Sequence, residues 1–314
     1  MLTSEQHRAA VKLLAQRKDR AVRACDAIDV GVVGQEYQGV TLRSGGWCLG
    51  VNDRVGLFHR SRTQVVLPGE GASYWLPAGH MPADDLVVDL LRALTTHWPE
   101  QGLPYLSIAD VGAGVGQYGR LMRSLDPQTL WRGYDGAGDI EQYTEGFVQF
   151  VDLTVPLVLP RADWVLSLEV GEHVPPEYEK SFVRNLHALN CRGIVLSWAD
   201  YGGHQHVNKR NKEYLVEVFS GLGYSYNENL TNAAKATRFR DAWKSTSGPR
   251  GLTNHLNRSA FTVLSWLGRS MLVFDRLVPL SAPGCTPPHP LDASRLEAKW
   301  QQFNLPREHV PLSE

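Results

Sequence analysis

The sequence is poor in cysteine, in long apolar runs and in net charge, and each shortage excludes something. Its 314 residues include four cysteines, Cys25, Cys48, Cys191 and Cys285, which stand far apart and form no C-x-x-C pair. That spacing suggests neither a zinc ribbon nor a disulfide framework, and it fits a reducing, cytoplasmic setting. No stretch approaches the ~20 apolar residues of a membrane span. The start, Met1 to Arg8, lacks the apolar region of a secretory signal. The formal net charge is −1, so no global basic field draws the chain to nucleic acid. A hydrophobic content of 43% supports a real core. The length suits one large α/β domain with additions, or two small domains.

The pattern divides the chain into three parts. Residues 1–76 read as an N-terminal helix, Thr3 to about Ala27 with Thr3-Ser-Glu-Gln6 as a capping box, followed by a β-rich extension. Its short β-prone runs, Gly39–Arg43, Trp47–Val51, Val55–Phe58 and Gln64–Leu67, predict hairpins. Residues 77–280 alternate apolar runs with helical periodicity, as in an α/β domain. Residues 281–314 form a proline-rich tail. Within the middle part, 231–268 is an insertion that carries Lys235, Arg238, Arg240, Lys244, Arg250 and Arg258 against Asp241 alone. Trp243, His255, Phe261 and Trp266 are interleaved. Such a segment suits an acceptor-binding cap, a nucleic-acid surface or a plain solvated helical pair.

The most informative stretch is Asp110-Val-Gly-Ala-Gly-Val-Gly116. The apolar run Tyr105–Ala109 before it reads as a buried parallel strand, and Gln117–Arg123 after it reads as a helix. Strand, glycine turn and helix form the place where α/β proteins hold nucleotides. The glycines allow a tight turn and a close approach of backbone to ligand. Gly114-Val-Gly116-Gln-Tyr-Gly119 also fits the dinucleotide pattern G-x-G-x-x-G, and a glycine turn without a ligand is the plainer alternative.

The next strands add acids at the expected places. Leu130–Tyr134 ends at Asp135, 19 residues after Gly116, close to the ~20 expected of a ribose-binding acid. A carboxylate accepts from both vicinal hydroxyls. The competing role of Asp135-Gly136 is a turn. Gly146–Val151 runs to Asp152-Leu153-Thr154, where the acid is either a ligand contact or a cap. Asp163–Leu168 then opens into Glu169, Glu172 and His173, polar groups at the strand end that faces a ligand crevice. Helix entry is the alternative role for the two glutamates. A fifth strand, Arg192–Ala199, opens into Asp200-Tyr-Gly-Gly-His-Gln-His-Val-Asn208, which places His204 and His206 at another strand end. His80 and Met81 lie in the loop before the helix that starts at Asp84 and Asp85, and are candidate neighbours of the ligand.

Taken together, DVGAGVGQYG, YDGAGD, VDLT, SLEVGEHVP, LSWADYGGHQHVN and WLGRSMLVFDR resemble the class I S-adenosylmethionine-dependent methyltransferases, within them a methyltransferase-like group. The likeness covers about Asp84 to Arg276. It implies a Rossmann-like α/β sheet, mostly parallel with one antiparallel strand. It also implies S-adenosylmethionine held by Asp110, Gly112, Ala113, Gly114, Gly116, Asp135, Gly136, Asp152, Leu153 and Glu169. The E-x-x-E-H run helps to bind a divalent cation in some branches of the family. Glu172, His173, His204 and His206 are therefore the expected base cluster, with Glu172, His173 and His206 as a metal set. The acceptor is expected to be a small molecule, methylated at a hydroxyl or an amine, with nucleic acid a lesser alternative through the basic insertion. A non-catalytic S-adenosylmethionine-binding regulator and an NAD(P)-dependent oxidoreductase are the other readings. One departure is Gln205, at a position where the resemblance implies a glycine.

Overall fold

The computed structural model describes residues 3–28, 41–55, 61–68, 72–95, 105–232, 267 and 270–287. The basic stretch 233–266 and the tail from 288 onward lie outside the described residues, as do positions 39, 40 and 56–58 of the expected hairpins.

Helix α1 spans Ser4–Asp26 and starts as its sequence dictates. Thr3 accepts from the Gln6 backbone N–H, and the Gln6 side chain accepts from the Thr3 N–H, which completes the capping box. The next segment differs from expectation. Trp47–Val51 reads as β-prone, yet Leu49–Val55 is a helix, α2. The reason is tertiary: both carboxylate oxygens of Asp139 accept from the Leu49 and Gly50 N–H groups at 2.8 and 2.7 Å. A distant acid thus caps a run with little helical character of its own. Of the expected hairpins, one forms from β1 (Thr63–Val66) and β2 (Ser73–Leu76).

The main sheet has seven strands. They are β3 (Ile108–Val111), β4 (Trp131–Asp135), β5 (Val148–Phe150), β6 (Ala162–Leu168), β7 (Asn190–Ser197), β8 (Tyr224–Tyr226) and β9 (Met271–Arg276). Their order is β5-β4-β3-β6-β7-β9-β8. All pairs from β5 to β7 are parallel, and β9 runs antiparallel between β7 and β8. Helices α3 (Asp85–Thr95), α4 (Gln117–Leu125), α6 (Glu179–Leu189) and α7 (Lys212–Gly221) accompany it, with the short α5 (Ile140–Tyr143) after β4. β3 and β6 are buried along nearly their whole length, as parallel strands covered on both faces are. The chain leaves β3 toward β4 and β5 and returns to β6 on the other side. That reversal opens a crevice at the carboxyl ends of β3 and β6. The antiparallel β9 is the feature a dinucleotide-binding sheet lacks. Among the described residues no helix is long and apolar enough to cross a membrane.

The cysteines overturn an expectation. All four are paired, Cys25 with Cys48 and Cys191 with Cys285, at sequence separations of 23 and 94. No local spacing announces such pairs, because folding brings the partners together. The pairing removes the sequence-based argument for a reducing compartment.

Candidate active site

The glycine turn after β3 adopts the backbone that its composition requires. Gly112 and Gly114 have φ of +82° and +54°, a region costly for residues with a Cβ. A Cβ on Gly112 would lie 2.2 Å from the Val170 side chain. The Gly112 and Ala113 N–H groups donate to the Tyr134 carbonyl at 2.8 and 3.0 Å, which fastens the turn to β4. The Gly114 N–H donates to Asp135 at 2.8 Å, and the other oxygen of Asp135 accepts from Ala137 at 2.8 Å. Burial raises the Asp135 carboxyl to about 6 despite these backbone donors. Near neutral pH it is an ionised acceptor at the rim of the crevice.

A cavity of about 440 Å³ fills the crevice, within the range of about 300–1,000 Å³ typical of small-molecule sites. It is lined by Gly112, Gly114, Asp135, Gly136 and Leu153 and by Glu169, Glu172, His173, His204 and His206. His80 and Met81 also line it. Asp110, Ala113, Gly116 and Asp152 do not. Asp110 is buried with its carboxylate against the Trp131 indole N–H at 3.3 Å, and burial drives its pKa to about 8. Gly116 makes room for Phe147 and Trp131. Asp152 accepts from Thr154 and pairs with Arg17 of α1 at 3.4 Å.

The polar end is assembled from two strand-end loops. After β6 the chain turns at Glu169, whose φ is +54°, into a 3₁₀ turn at Gly171–His173. After β7 comes Tyr201–Asn208. The Val207 and Asn208 N–H groups donate to the Glu172 carbonyl at 2.8 and 3.0 Å and join the loops. A Cβ on Gly203 would lie 2.4 Å from the His206 ring, so that glycine makes space for the imidazole. Gln205 has φ +57°. The turn needs the left-handed backbone that a glycine adopts freely, and here a glutamine bears the strain. The Gln205 carbonyl then faces His173 Nδ1 at 3.2 Å, and the Tyr201 carbonyl faces His206 Nδ1 at 2.9 Å.

A carbonyl only accepts, so Nδ1 of each ring is the donor, and the neutral form of each imidazole presents its lone pair on Nε2. One ligand atom each from Glu172, His173 and His206 lie within 4.8 Å of one another. Neither carboxylate oxygen of Glu172 has a hydrogen-bond partner of good geometry, although the residue is fully buried. Burial, and then the Glu169 carboxylate, raise its pKa well above the usual range. Burial also lowers His173 and His80 to about 4 and lowers His204. Glu169 itself accepts from Tyr201 at 3.2 Å and from Ser270 at 2.9 Å.

One wall escapes the sequence reading. Ser44, Gly45, Gly46 and Trp47 line the cavity from the N-terminal extension. The Trp47 ring meets those of His80, His173 and His204 edge-on, with centroids 5.3, 6.0 and 5.8 Å away. The adjacent glycines were the available signal. A Cβ on Gly46 would lie 1.9 Å from the Gly136 carbonyl oxygen, so two backbones meet where a side chain cannot fit.

No family model matches the chain, and no curated protein matches it. Solved structures similar to it are methyltransferases. A magnesium protoporphyrin IX methyltransferase from Synechocystis PCC 6803, with bound SAM, is 22% identical, with 46% of this chain and 68% of that one covered and a TM-score of 0.36. Phosphoethanolamine N-methyltransferase 2 from Haemonchus contortus, in complex with S-adenosyl-L-methionine, is 13% identical over 66% of this chain and 62% of that one, with a TM-score of 0.34. An O-methyltransferase family protein from Burkholderia thailandensis is 12% identical over 62% and 55%, with a TM-score of 0.38. The strand order, with β9 reversed beside β7, and the glycine turn at the switch point give this chain the class I methyltransferase fold.

Proposed function

We propose that the chain is an S-adenosylmethionine-dependent methyltransferase acting on a small molecule, at a hydroxyl or an amine. One observation carries the reading: a single cavity is lined both by the glycine turn with Asp135, which we take as the first end of the site, and by the Glu172, His173 and His206 cluster, which we take as the second. The cofactor fits the first end chemically. Gly112 and Gly114 line the cavity with backbone alone, and Asp135 is a half-buried acceptor suited to a ribose diol. Leu153 offers an apolar wall for a base. Bound there, S-adenosylmethionine supplies an electrophilic methyl group on a sulfonium. The residues of the chain orient the acceptor for in-line attack and exclude water, an effect worth up to about 7–11 kcal/mol in favourable cases.

The second end supports a divalent cation. A ring nitrogen each of His173 and His206 and the buried Glu172 carboxyl, whose oxygens have no hydrogen-bond partner of good geometry, lie within 4.8 Å of one another. The backbone carbonyls that hold the imidazoles are the supports that metal-ligating histidines usually have. Nitrogen with one oxygen suits zinc, manganese or iron better than calcium. A cation held there lowers the pKa of an acceptor hydroxyl and orients it. His204 stands beside the set and contacts the acceptor. Without a cation, the same imidazoles act as the base. The proposal includes the division into an extension (1–76), a methyltransferase domain (77–280) with its insertion at 231–268, and a tail (281–314). The two disulfides favour an oxidising setting over the cytoplasm.

Calorimetry with S-adenosylhomocysteine tests the first part. Binding in the micromolar range, about −8 kcal/mol, is expected. Binding of NAD with none of S-adenosylhomocysteine would overturn it. Elemental analysis tests the second part: about one ion per chain is expected, lost in Glu172→Gln and in His206→Ala. Metal-free protein that gains no thermal stability from zinc, manganese or iron salts assigns the cluster to the base role.

A further inference from the structure

We propose that the Cys25–Cys48 disulfide is a strap that holds the Ser44–Trp47 wall against the cofactor cavity, so that reducing it loosens the grip on cofactor while the sheet stays folded. This rests on the reading that the cavity binds S-adenosylmethionine.

The strap has a firm anchor. Helix α1 is tied to the sheet side of the site by Arg17 to Asp152 at 3.4 Å and by Lys18 to Glu141. Cys25, near its end, and Cys48 are both buried. Cys48 directly follows the wall residues Ser44 to Trp47 and directly precedes α2, whose first N–H groups Asp139 accepts. The wall is also held by the Gly138 N–H, which donates to the Trp47 carbonyl at 2.9 Å.

The disulfide sits against the cofactor loop itself. Asp135 to Asp139 forms that loop, and a Cβ on Gly138 would lie 2.6 Å from Cys25 Sγ. A Cβ on Gly46 would collide with the Gly136 carbonyl oxygen at 1.9 Å. Two glycines of this loop thus make close contacts, Gly138 with Cys25 of the strap and Gly136 with Gly46 of the wall. The rest of the wall's grip is the Trp47 ring against His80, His173 and His204, the Gly138 hydrogen bond and the Asp139 bonds to Leu49 and Gly50, none of them covalent. The covalent link limits how far Trp47 and Cys48 can move from the end of α1.

In the opening step a dithiol gives two electrons and two protons. The S–S bond breaks, Cys25 and Cys48 become thiols, and the dithiol closes to its own disulfide. The freed wall then occupies its binding position for only part of the time, and apparent affinity falls by that fraction.

The test uses the full chain with Cys191→Ala and Cys285→Ala, so that one disulfide remains. S-adenosylhomocysteine affinity is measured by calorimetry before and after treatment with dithiothreitol, with released thiols counted and circular dichroism recorded. A Kd about tenfold higher or more is expected once two thiols appear, with unchanged circular dichroism. Gly46→Ala keeps both disulfides, displaces the wall by collision, and should weaken binding in the same direction. Equal affinity in oxidised and reduced protein, with two thiols counted, overturns the strap. Equal affinity of Gly46→Ala and the natural chain also overturns it. Absence of binding in the oxidised protein overturns the cofactor reading itself, and the strap with it.

Discussion

The two ends of the sheet each bury an acid completely, and treat it in opposite ways. At the amino-terminal end, Asp163 accepts from the Ser107 N–H and hydroxyl at 2.8 and 2.9 Å, and from the Thr286 N–H and hydroxyl at 2.9 Å each. Arg192 lies 3.4 Å away, and the Cys191–Cys285 disulfide closes the same corner. At the carboxyl-terminal end, neither oxygen of Glu172 has a hydrogen-bond partner of good geometry, the Glu169 carboxylate is beside it, and one ring nitrogen each of His173 and His206 lies within 4.8 Å. A buried charge is costly unless paired. The first acid is a structural joint. The second lines the cavity, and burial with the neighbouring Glu169 favours its protonated form. Backbone strain follows the same division: of the three non-glycine residues with positive φ among the described residues, Glu169 lines the cavity and Gln205 lies between the cavity-lining His204 and His206.

Removing the structural acid should have the largest effect. Asp163→Ala leaves Arg192 and four donors without their acceptor and should cost about 3–5 kcal/mol in urea unfolding. A loss under about 1 kcal/mol would erase the contrast between the two ends. Gly114→Val puts a β-branched side chain at φ +54°, 3.1 Å from His80. Cofactor affinity should fall about a hundredfold or more by calorimetry, with similar circular dichroism. Unchanged affinity would make this glycine a turn residue only.

Asp135→Ala should weaken cofactor binding by about 1.5–3 kcal/mol through lost charge-assisted hydrogen bonds. The pH dependence sharpens this. With its carboxyl raised to about 6, Asp135 is ionised above that pH and protonates below it. Affinity in the natural chain should therefore fall as pH drops through 6, and the Asp135→Ala profile should be flat there. For folding the sign is opposite: a carboxyl raised above its unfolded value takes up a proton more readily in the native state, so its contribution to stability declines as pH rises from about 4 to 6. The smallest effect on stability belongs to Glu172→Gln. Replacing a buried carboxyl that favours its neutral form with a neutral amide of like shape should change metal-free unfolding at neutral pH by less than about 1 kcal/mol. A loss comparable to that of Asp163→Ala would show that Glu172 is a structural joint too.

Much of the fold is legible in the order of residues. The run from Tyr105 into the glycines, the spacing to Asp135, and the apolar strand that ends at Glu169, Glu172 and His173 each reflect local chemistry. A parallel strand buried on both faces must be apolar, and a left-handed turn strongly favours glycine. The missing glycine at Gln205 was legible as a departure; that it bears left-handed strain while its carbonyl orients His173 was not. Trp47–Val51 misled because α2 is capped by Asp139, ninety residues away from Leu49. Asp110 and Asp152 carry the right residue type at strand ends, but their side chains turn to Trp131 and Arg17.

By itself the sequence determined the α/β alternation, the glycine turn and which acids and histidines fall at strand ends, because these follow from periodicity and from backbone needs within a few residues. Only the tertiary structure decided which of them share a cavity, how the four cysteines pair and which part of the N-terminal extension forms a wall. Those outcomes depend on contacts between segments 23 to more than 90 residues apart. No local spacing encodes such contacts, because they arise from the packing of whole elements against the sheet.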